Sequence, residues 1–337
     1  MAAVLPAQRK AEIGPQRIAF VVMLAFFVLG PLAMYPVFLM KVMCFALFAC
    51  AFNLLIGFVG LLSFGHAMFL GTAGYVCAYA AKVWGFTPEL AILAGTAAAC
   101  ILGIVTGLLA IRRQGIYFAM ITLALAQMIY FFYLQAPFTG GEDGLQGVSR
   151  GKLFGVLSLE GDTTMYYVTV AIFIACFLGI MRIVTSPFGQ VLKMIRENEP
   201  RAISLGYEVD RYKLLAFVLS AGLAGLAGSM KCLVIGFATL SDVHWQMSGE
   251  VILMSLLGGV GTFLGPMIGA GIVVALQDML ADKVGEWVTV IIGAIFVVCV
   301  LAFRKGVVGE IHAYMERRRQ RANRDSAKAL ESAPVNP

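Results

Sequence analysis

Apolar stretches long enough to cross a bilayer recur from Ile18 almost to Phe303 in this 337-residue chain, with one polar interruption longer than a short loop. About 20 apolar residues cover the roughly 30 Å of hydrocarbon in a membrane. With 60% hydrophobic and 13% charged residues and a mean hydropathy of +0.88, the chain carries more apolar surface than one soluble core can hide. Lipid must be its solvent. A spanning backbone in lipid has to satisfy its own hydrogen bonds, which dictates helices or a closed barrel. Uninterrupted apolar runs of this length point to an all-α polytopic membrane protein with about 8 to 10 transmembrane helices. Expected spans are 18–35, 37–56, 60–81, 89–111, 115–135, 164–183, 213–237 and 286–303, with an ambiguous apolar region over 249–277. Residues 1–17 form an N-terminal segment, 18–305 one membrane domain with a polar connection at 184–212, and 306–337 a basic, partly disordered tail. Arg9, Lys10 and Arg17 resemble the charged start of a signal peptide, but no short apolar core with a small-residue cleavage site follows, so the first helix is expected to be retained.

Orientation follows from Lys and Arg, which concentrate in cytoplasmic loops. The N-terminus, the Arg112-Arg113 turn, the connection from Arg182 to Lys213 and the tail after Arg304 are basic and are placed inside. The loops around Glu89, from Ala136 to Thr163, at Asp242 and from Asp278 to Glu286 are acidic or nearly uncharged and are placed outside. The two sets alternate if three crossings lie between Arg17 and Lys82 and if Ser248 to Leu276 crosses an even number of times. A re-entrant pair of half-helices meets the second condition.

The residues there favour a break, because Leu256-Leu257-Gly258-Gly259-Val260-Gly261 runs into Gly265-Pro266. Non-helical backbone at membrane depth survives only where protein or a water-filled cavity covers it. A second Gly-rich step, Gly57-Phe58-Val59-Gly60 followed by Ser63-Phe64-Gly65-His66 and Gly71, shares the G-x-V-G pattern. Either the two mark an internal repeat flanking a substrate path, or they are chance likeness between Gly-rich membrane segments. Ionisable groups at depth reduce to Lys41, His66, Lys231 and Glu250. The two lysines lie near span ends, where they are expected to snorkel. His66 either lines a cavity in the break or bonds a neighbouring backbone carbonyl as a neutral ring.

No G-x-x-x-x-G-K-[ST] loop is present to cradle ATP phosphates, and no catalytic or metal motif is recognisable. The chain is therefore expected to be neither an enzyme nor the holder of a cofactor or metal. All seven cysteines sit in apolar runs and read as small hydrophobes. Glu142 and Asp143 in Gly140-Gly141-Glu142-Asp143-Gly144 mark a turn or a cation contact. Arg317-Arg318-Arg319 suits anionic membrane lipid rather than nucleic acid.

The polar connection from Ser186 to Asp210 is long enough for two short helices, with Pro187 and Pro200 at early helical positions. Arg201 and Ile203 would then face either a protein partner or the lipid surface.

Together, Ser186 to Gly206, Thr139-Gly140-Gly141-Glu142-Asp143-Gly144-Leu145, Asn53 to Gly74, Gly115-Ile116-Tyr117-Phe118-Ala119-Met120-Ile121-Thr122-Leu123-Ala124 and Gly258-Gly259-Val260-Gly261-Thr262 resemble the LivM-type permeases of branched-chain amino-acid ABC importers. The likeness runs from Leu32 to about Glu310. It implies a permease subunit in a bacterial inner membrane, with both termini cytoplasmic. The implied partners are a homologous LivH-type permease, two cytoplasmic ATPase subunits and a periplasmic amino-acid-binding protein. In such permeases the loop matching Glu199 to Gly206 resembles the E-A-A loop that docks into the ATPase, although Pro200 and Arg201 stand where the general loop has alanines. The resemblance thus assigns Arg196, Glu197, Glu199, Arg201, Ala202 and Gly206 to ATPase coupling. It places Ser63, Gly65, His66, Gly71, Gly258 and Gly261 along a path for a hydrophobic amino acid. A urea or short-amide permease shares much of the pattern; a secondary carrier would need more intramembrane carboxylates, and a structural membrane protein would not need the breaks.

Overall fold

The computed structural model describes residues 22–284, apart from 33, 154 and 156, and scattered positions between 287 and 309. The expected span 286–303 and both termini fall largely or wholly outside the described residues. A short helical stretch at 22–29 leads into a 3-10 turn at Gly30–Leu32. The helices that follow are α1 (Pro36–Phe58), α2 (His66–Lys82), α3 (Pro88–Ala110), α4 (Ile116–Gln135), α5 (Asp162–Thr185), α6 (Pro187–Glu197), α7 (Glu199–Ser204), α8 (Val209–Ile235), α9 (Trp245–Gly258) and α10 (Gly265–Val284). Five of them, α1, α3, α4, α5 and α8, are long and apolar enough to cross a membrane. The 23 residues of α1 measure roughly 34 Å at the α-helical rise, enough for the hydrocarbon layer. A two-residue hairpin, β1 (Lys152–Leu153) with β2 (Leu157–Ser158), decorates the segment before α5.

The span expected over 60–81 is shorter than its apolar run. Its helix starts only at His66, because the amides of Val59, Gly60 and Leu61 all turn back onto the carbonyl of Leu55. Gly60 then takes a φ of +83°, which glycine adopts without a Cβ clash. The ambiguous 249–277 region is two helices, α9 and α10, parted by 259–264, where Gly259 and Gly261 take φ values of +118° and +80°.

Two packing arrangements organise the bundle. Nearly all of α1 is buried, surrounded by α8, α10, α5 and α9. A helix apolar around most of its circumference, with only Lys41 and Asn53 strongly polar, fits such a central position. Beside it, α2, α3 and α8 form a close trio through small residues. On α3 the buried line Ala91, Gly95, Ala99, Gly103 and Gly107 recurs every fourth position. A methyl added at Gly103 would lie 2.7 Å from Cβ of Ala221 on α8. Such faces let backbones approach closely, and dispersion contacts hold them where lipid supplies no hydrophobic drive between helices. By contrast α4 packs lightly and exposes Ile116, Tyr117, Met120 and Met128.

The loops gather at two ends. At one, the 59–65 break, the Arg112-Arg113 turn, α6, α7 and the 259–264 break come together, joined by Arg196 to Gly57 and by Gln114 to Glu199. At the other, Leu145 pairs with Ala238 as an antiparallel bridge and Lys82 donates to the carbonyl of Gln146.

Candidate functional site

The polar connection folds as two capped helices set against the bundle. Ser186 caps α6 by accepting the amide of Gly189 at 3.3 Å, with Pro187 in the first turn, and Asn198 caps α7 by accepting the amide of Arg201 at 3.1 Å. These oxygens satisfy helix-start amides that have no internal partner. Gly206, at φ +88°, ends the unit, and Ile195, Ala202 and Val209 form its small buried core.

The charged residues of the connection divide by direction. Glu199 accepts from Lys213 Nζ at 2.7 Å and from Gln114 Nε2 at 2.8 Å, which ties α7 to α8 and to the turn before α4. Lys213 is only 3% exposed and pairs with that carboxylate, as a buried ammonium requires. Arg196 donates from Nη1 to the carbonyl of Gly57 at the end of α1, its stem lying over Gly60, although the residue as a whole is exposed. Glu197, Arg201 and Gly206 face outward, as do Ile203 and Leu205, the last two about 60% exposed.

The two Gly-rich breaks touch. A methyl added at Gly57 would lie 2.7 Å from the amide nitrogen of Gly261. The side-chain amide of Asn53 on α1 brackets the second break, accepting from the Gly261 amide at 2.8 Å and donating to the Thr262 carbonyl at 2.9 Å. Gly258 abuts the backbone of Gly265. Ser63, Gly65 and His66 form the entry to α2, where the Gly65 amide donates to Ser63 Oγ at 3.2 Å. Gly71 packs separately, against the backbone of Val243.

His66 is fully buried among the edges of Phe52, Phe69 and Phe217. Its Nε2 lies 2.8 Å from Ser220 Oγ, which itself lies 2.6 Å from the carbonyl of Ala51. A carbonyl only accepts, so the Ser220 hydroxyl proton goes to Ala51 and the His66 Nε2–H donates to Ser220. The other ring nitrogen, Nδ1, is buried without a hydrogen-bond partner. A cavity of about 500 Å³ opens beside this region, walled by Leu61, Leu62, Phe64, Ile116, Leu123 and Trp245. Ser63, Gly65 and His66 are not among its walls.

Residues 35–300 match the profile of the family described as branched-chain amino acid transport system / permease component. The chain belongs to this family. Among individual proteins, the permease is 24% identical to the high-affinity branched-chain amino acid transport system permease protein LivM of Escherichia coli, over 79% of this chain and 68% of the relative. It is 22% identical to the LivH permease protein of Salmonella typhimurium, over 79% of this chain and 91% of the relative. A tyrosine transport system permease protein of Clostridioides difficile is 26% identical over 53% of this chain and 57% of the relative. No solved structure is matched.

The permease contains charge pairs that the sequence reading did not anticipate. Lys231 does not snorkel; it is ion-paired with Asp242, and neither side chain is more than 12% exposed. The Lys231 ammonium also lies 5.1 Å from the ring centre of Phe45, within cation–π range. Asp242 therefore turns its carboxylate into the protein from the 3-10 turn Leu240–Asp242 in the connection between α8 and α9. Lys41 pairs with Asp278 at 2.5 Å, and Gln277 donates to Glu250 at 3.0 Å. The signal available in the sequence was a lysine and an aspartate flanking the Gly236 turn. Asn53 carried a signal of a different kind, as the lone amide in a helix whose only other strongly polar side chain is Lys41.

Proposed function

We propose that this permease forms, with a LivH-type homologue, the translocation path of an ATP-driven importer for branched-chain amino acids. Two ATPase subunits bind the end that carries α6 and α7, and a periplasmic amino-acid-binding protein delivers solute to the other. In this reading the protein lies in a bacterial inner membrane with 8–10 spans over residues 18–305, a coupling connection at 184–212, and both termini in the cytoplasm. The two touching Gly-rich breaks are then corresponding positions of an internal repeat.

The observation that carries the reading is a pair of exposed apolar side chains, Ile203 and Leu205, on a helix fastened to the bundle through Glu199. A helix-bearing loop that merely dissolved in water would not need both an apolar outer tip and a buried charge anchoring it. That combination suits a rigid lever seated in a groove of a partner. Nucleotide-driven closure of the ATPases moves such levers, and the permease responds only if its contacts differ between the two states. Glu197, Arg201 and Gly206 lie on the docking side, while Glu199 and Ala202 hold the lever's shape. The apolar cavity between the first break and α4 suits a hydrophobic side chain, and the lightly packed face of α4 is where the homologous permease would close it. Ser63, Gly65 and His66 set the entry to α2 beside that cavity, Gly258 and Gly261 form the second break, and Gly71 lets α2 approach Val243, so that together they shape the path.

Purification of the tagged chain in mild detergent from its native membrane tests this. ATPase subunits should accompany wild type and fall away with Ile203→Glu or Arg201→Glu, while the permease itself stays folded. Absence of an ATPase from a folded wild-type sample would sink the importer reading.

A further inference from the structure

Helix α1 ends with a shortage of donors. The amides that would continue its ladder, those of Gly60 and Leu61, fold back onto Leu55, so the carbonyl of Gly57 has no partner from the helix that follows. Gly57 is buried; a buried carbonyl left without a donor is costly, and the negative end of a helix dipole favours a cation. Arg196 supplies both the donor and the charge, reaching Gly57 from α6. The same guanidinium borders the second break: a methyl added at Gly261 would lie 3.4 Å from Arg196 Nη1 and 3.3 Å from the Gly57 carbonyl oxygen. One turn earlier on α6, Lys193 lies 5.8 Å from the ring centre of Phe58. Asn53 then carries the connection onward, its amide bonded to both Gly261 and Thr262.

We propose that Arg196 is the positioning residue that links the ATPase lever to the translocation path. It caps α1 at the first break, and through Asn53 the same helix end holds the second break. Glu199 and Arg196 have separate jobs: Glu199 fixes α7 to α8, whereas Arg196 fixes α6 to α1. The two anchors lie on either side of Asn198, where the chain is extended between the helices. Rotation of α6 about that point withdraws the cap from Gly57 and frees both breaks together. Glycine is needed at Gly57 and Gly261 because a methyl on Gly57 would collide with the Gly261 backbone. This assignment rests on the reading of the chain as an ATP-driven permease.

The test uses the complete complex purified with its co-expressed subunits and reconstituted in liposomes, comparing wild type with Arg196→Gln, Arg196→Lys and Asn53→Ala. Three quantities are read: ATPase co-purification, radiolabelled leucine uptake per ATP hydrolysed, and hydrogen exchange of 57–65 and 259–264 with and without ATP plus vanadate. In wild type, nucleotide trapping should change exchange in both breaks. Arg196→Gln should keep its ATPases and hydrolyse ATP, yet lose the response in both breaks, with uptake per ATP lowered about tenfold, inside the roughly 5–150-fold range of a single coupling. Arg196→Lys, which keeps a cationic donor, should regain part of it. Asn53→Ala should separate the breaks, keeping the response at 57–65 and losing it at 259–264. A wild-type-sized response in both breaks of Arg196→Gln overturns the proposal, as does loss of the ATPases from that variant, which would make Arg196 a docking contact. If wild type itself brings no ATPase, the importer reading fails instead. If leucine is not carried by wild type, only the solute assignment fails, and the exchange measurement still decides the role of Arg196.

Discussion

Replacing Asp242 by Asn tests how much of this protein's stability depends on charge held away from water. Lys231 and Asp242 are 11% and 12% exposed, so neither ion has bulk solvent to fall back on. Removing one partner of a buried pair typically costs about 3–5 kcal/mol, because the other charge is left uncompensated. Here Phe45 lies against the ammonium and retains part of its stabilisation, a contact worth on the order of 0.5–2 kcal/mol. The expected loss for Asp242→Asn is therefore near the lower end, about 3 kcal/mol. Lys231→Met leaves the carboxylate unpaired and should cost a similar amount. The double variant Lys231→Met with Asp242→Leu removes both charges and should return to within about 1 kcal/mol of wild type, since well-packed apolar groups often replace a buried pair without loss. Equilibrium unfolding in mixed micelles with rising SDS measures all three against wild type. If both single variants lose less than about 1 kcal/mol, or if the double variant is the worst of the three, the two charges do not share a dry site and the reasoning is wrong.

Two further outcomes follow from the packing. Gly225→Val should destabilise by about 1–3 kcal/mol, because even its Cβ would run into Ala99 on α3 and stand 3.3 Å from Cβ of Ala73 on α2. Gly179→Ala, with nothing within 4 Å of the added methyl, is the control; equal thermal stability of the two variants in detergent would refute close packing of that trio. His66→Phe keeps the ring contacts with Phe52, Phe69 and Phe217 but strips the donor to Ser220, and the same melt should show a loss of about 0.5–1.5 kcal/mol. No loss would mean that the bond to Ser220 contributes nothing beyond packing.

Much of the framework was legible because a membrane imposes a length on every crossing. Spans over 37–56, 89–111, 115–135, 164–183 and 213–237 each coincide with a helix to within a few residues, since apolar runs between polar turns leave little choice of boundary. The run at 60–81 misled because Leu61, Leu62 and Phe64 are as apolar as a helix interior. The backbone there is set by three amides converging on Leu55, which hydropathy does not register. Lys231 misled for a similar reason: a snorkelling lysine and a buried, paired one look alike until the chain brings a carboxylate to it. Asp242 does so because the chain turns back at Gly236, which adopts a φ of +85°, a conformation glycine allows and composition does not specify.

By itself the sequence determined that lipid is the solvent, where the five longest apolar helices lie, and that Gly57–Gly60 and Gly258–Gly261 interrupt the apolar pattern. These follow from local composition measured against a fixed hydrocarbon thickness and from the residue type that adopts positive φ without a Cβ clash. It did not determine which helix is central, since α1 and α3 are equally apolar and only α1 is buried. In lipid the surroundings are as apolar as the side chains, so no hydrophobic periodicity ranks one helix as more central than another. Nor did it show that Arg196 would meet Gly57 across 139 residues, or Asn53 meet Gly261 across 208. Those contacts exist only once α1 takes the middle of the bundle, because a backbone group acquires a distant partner through closure of the whole fold and not through any property of its own neighbours.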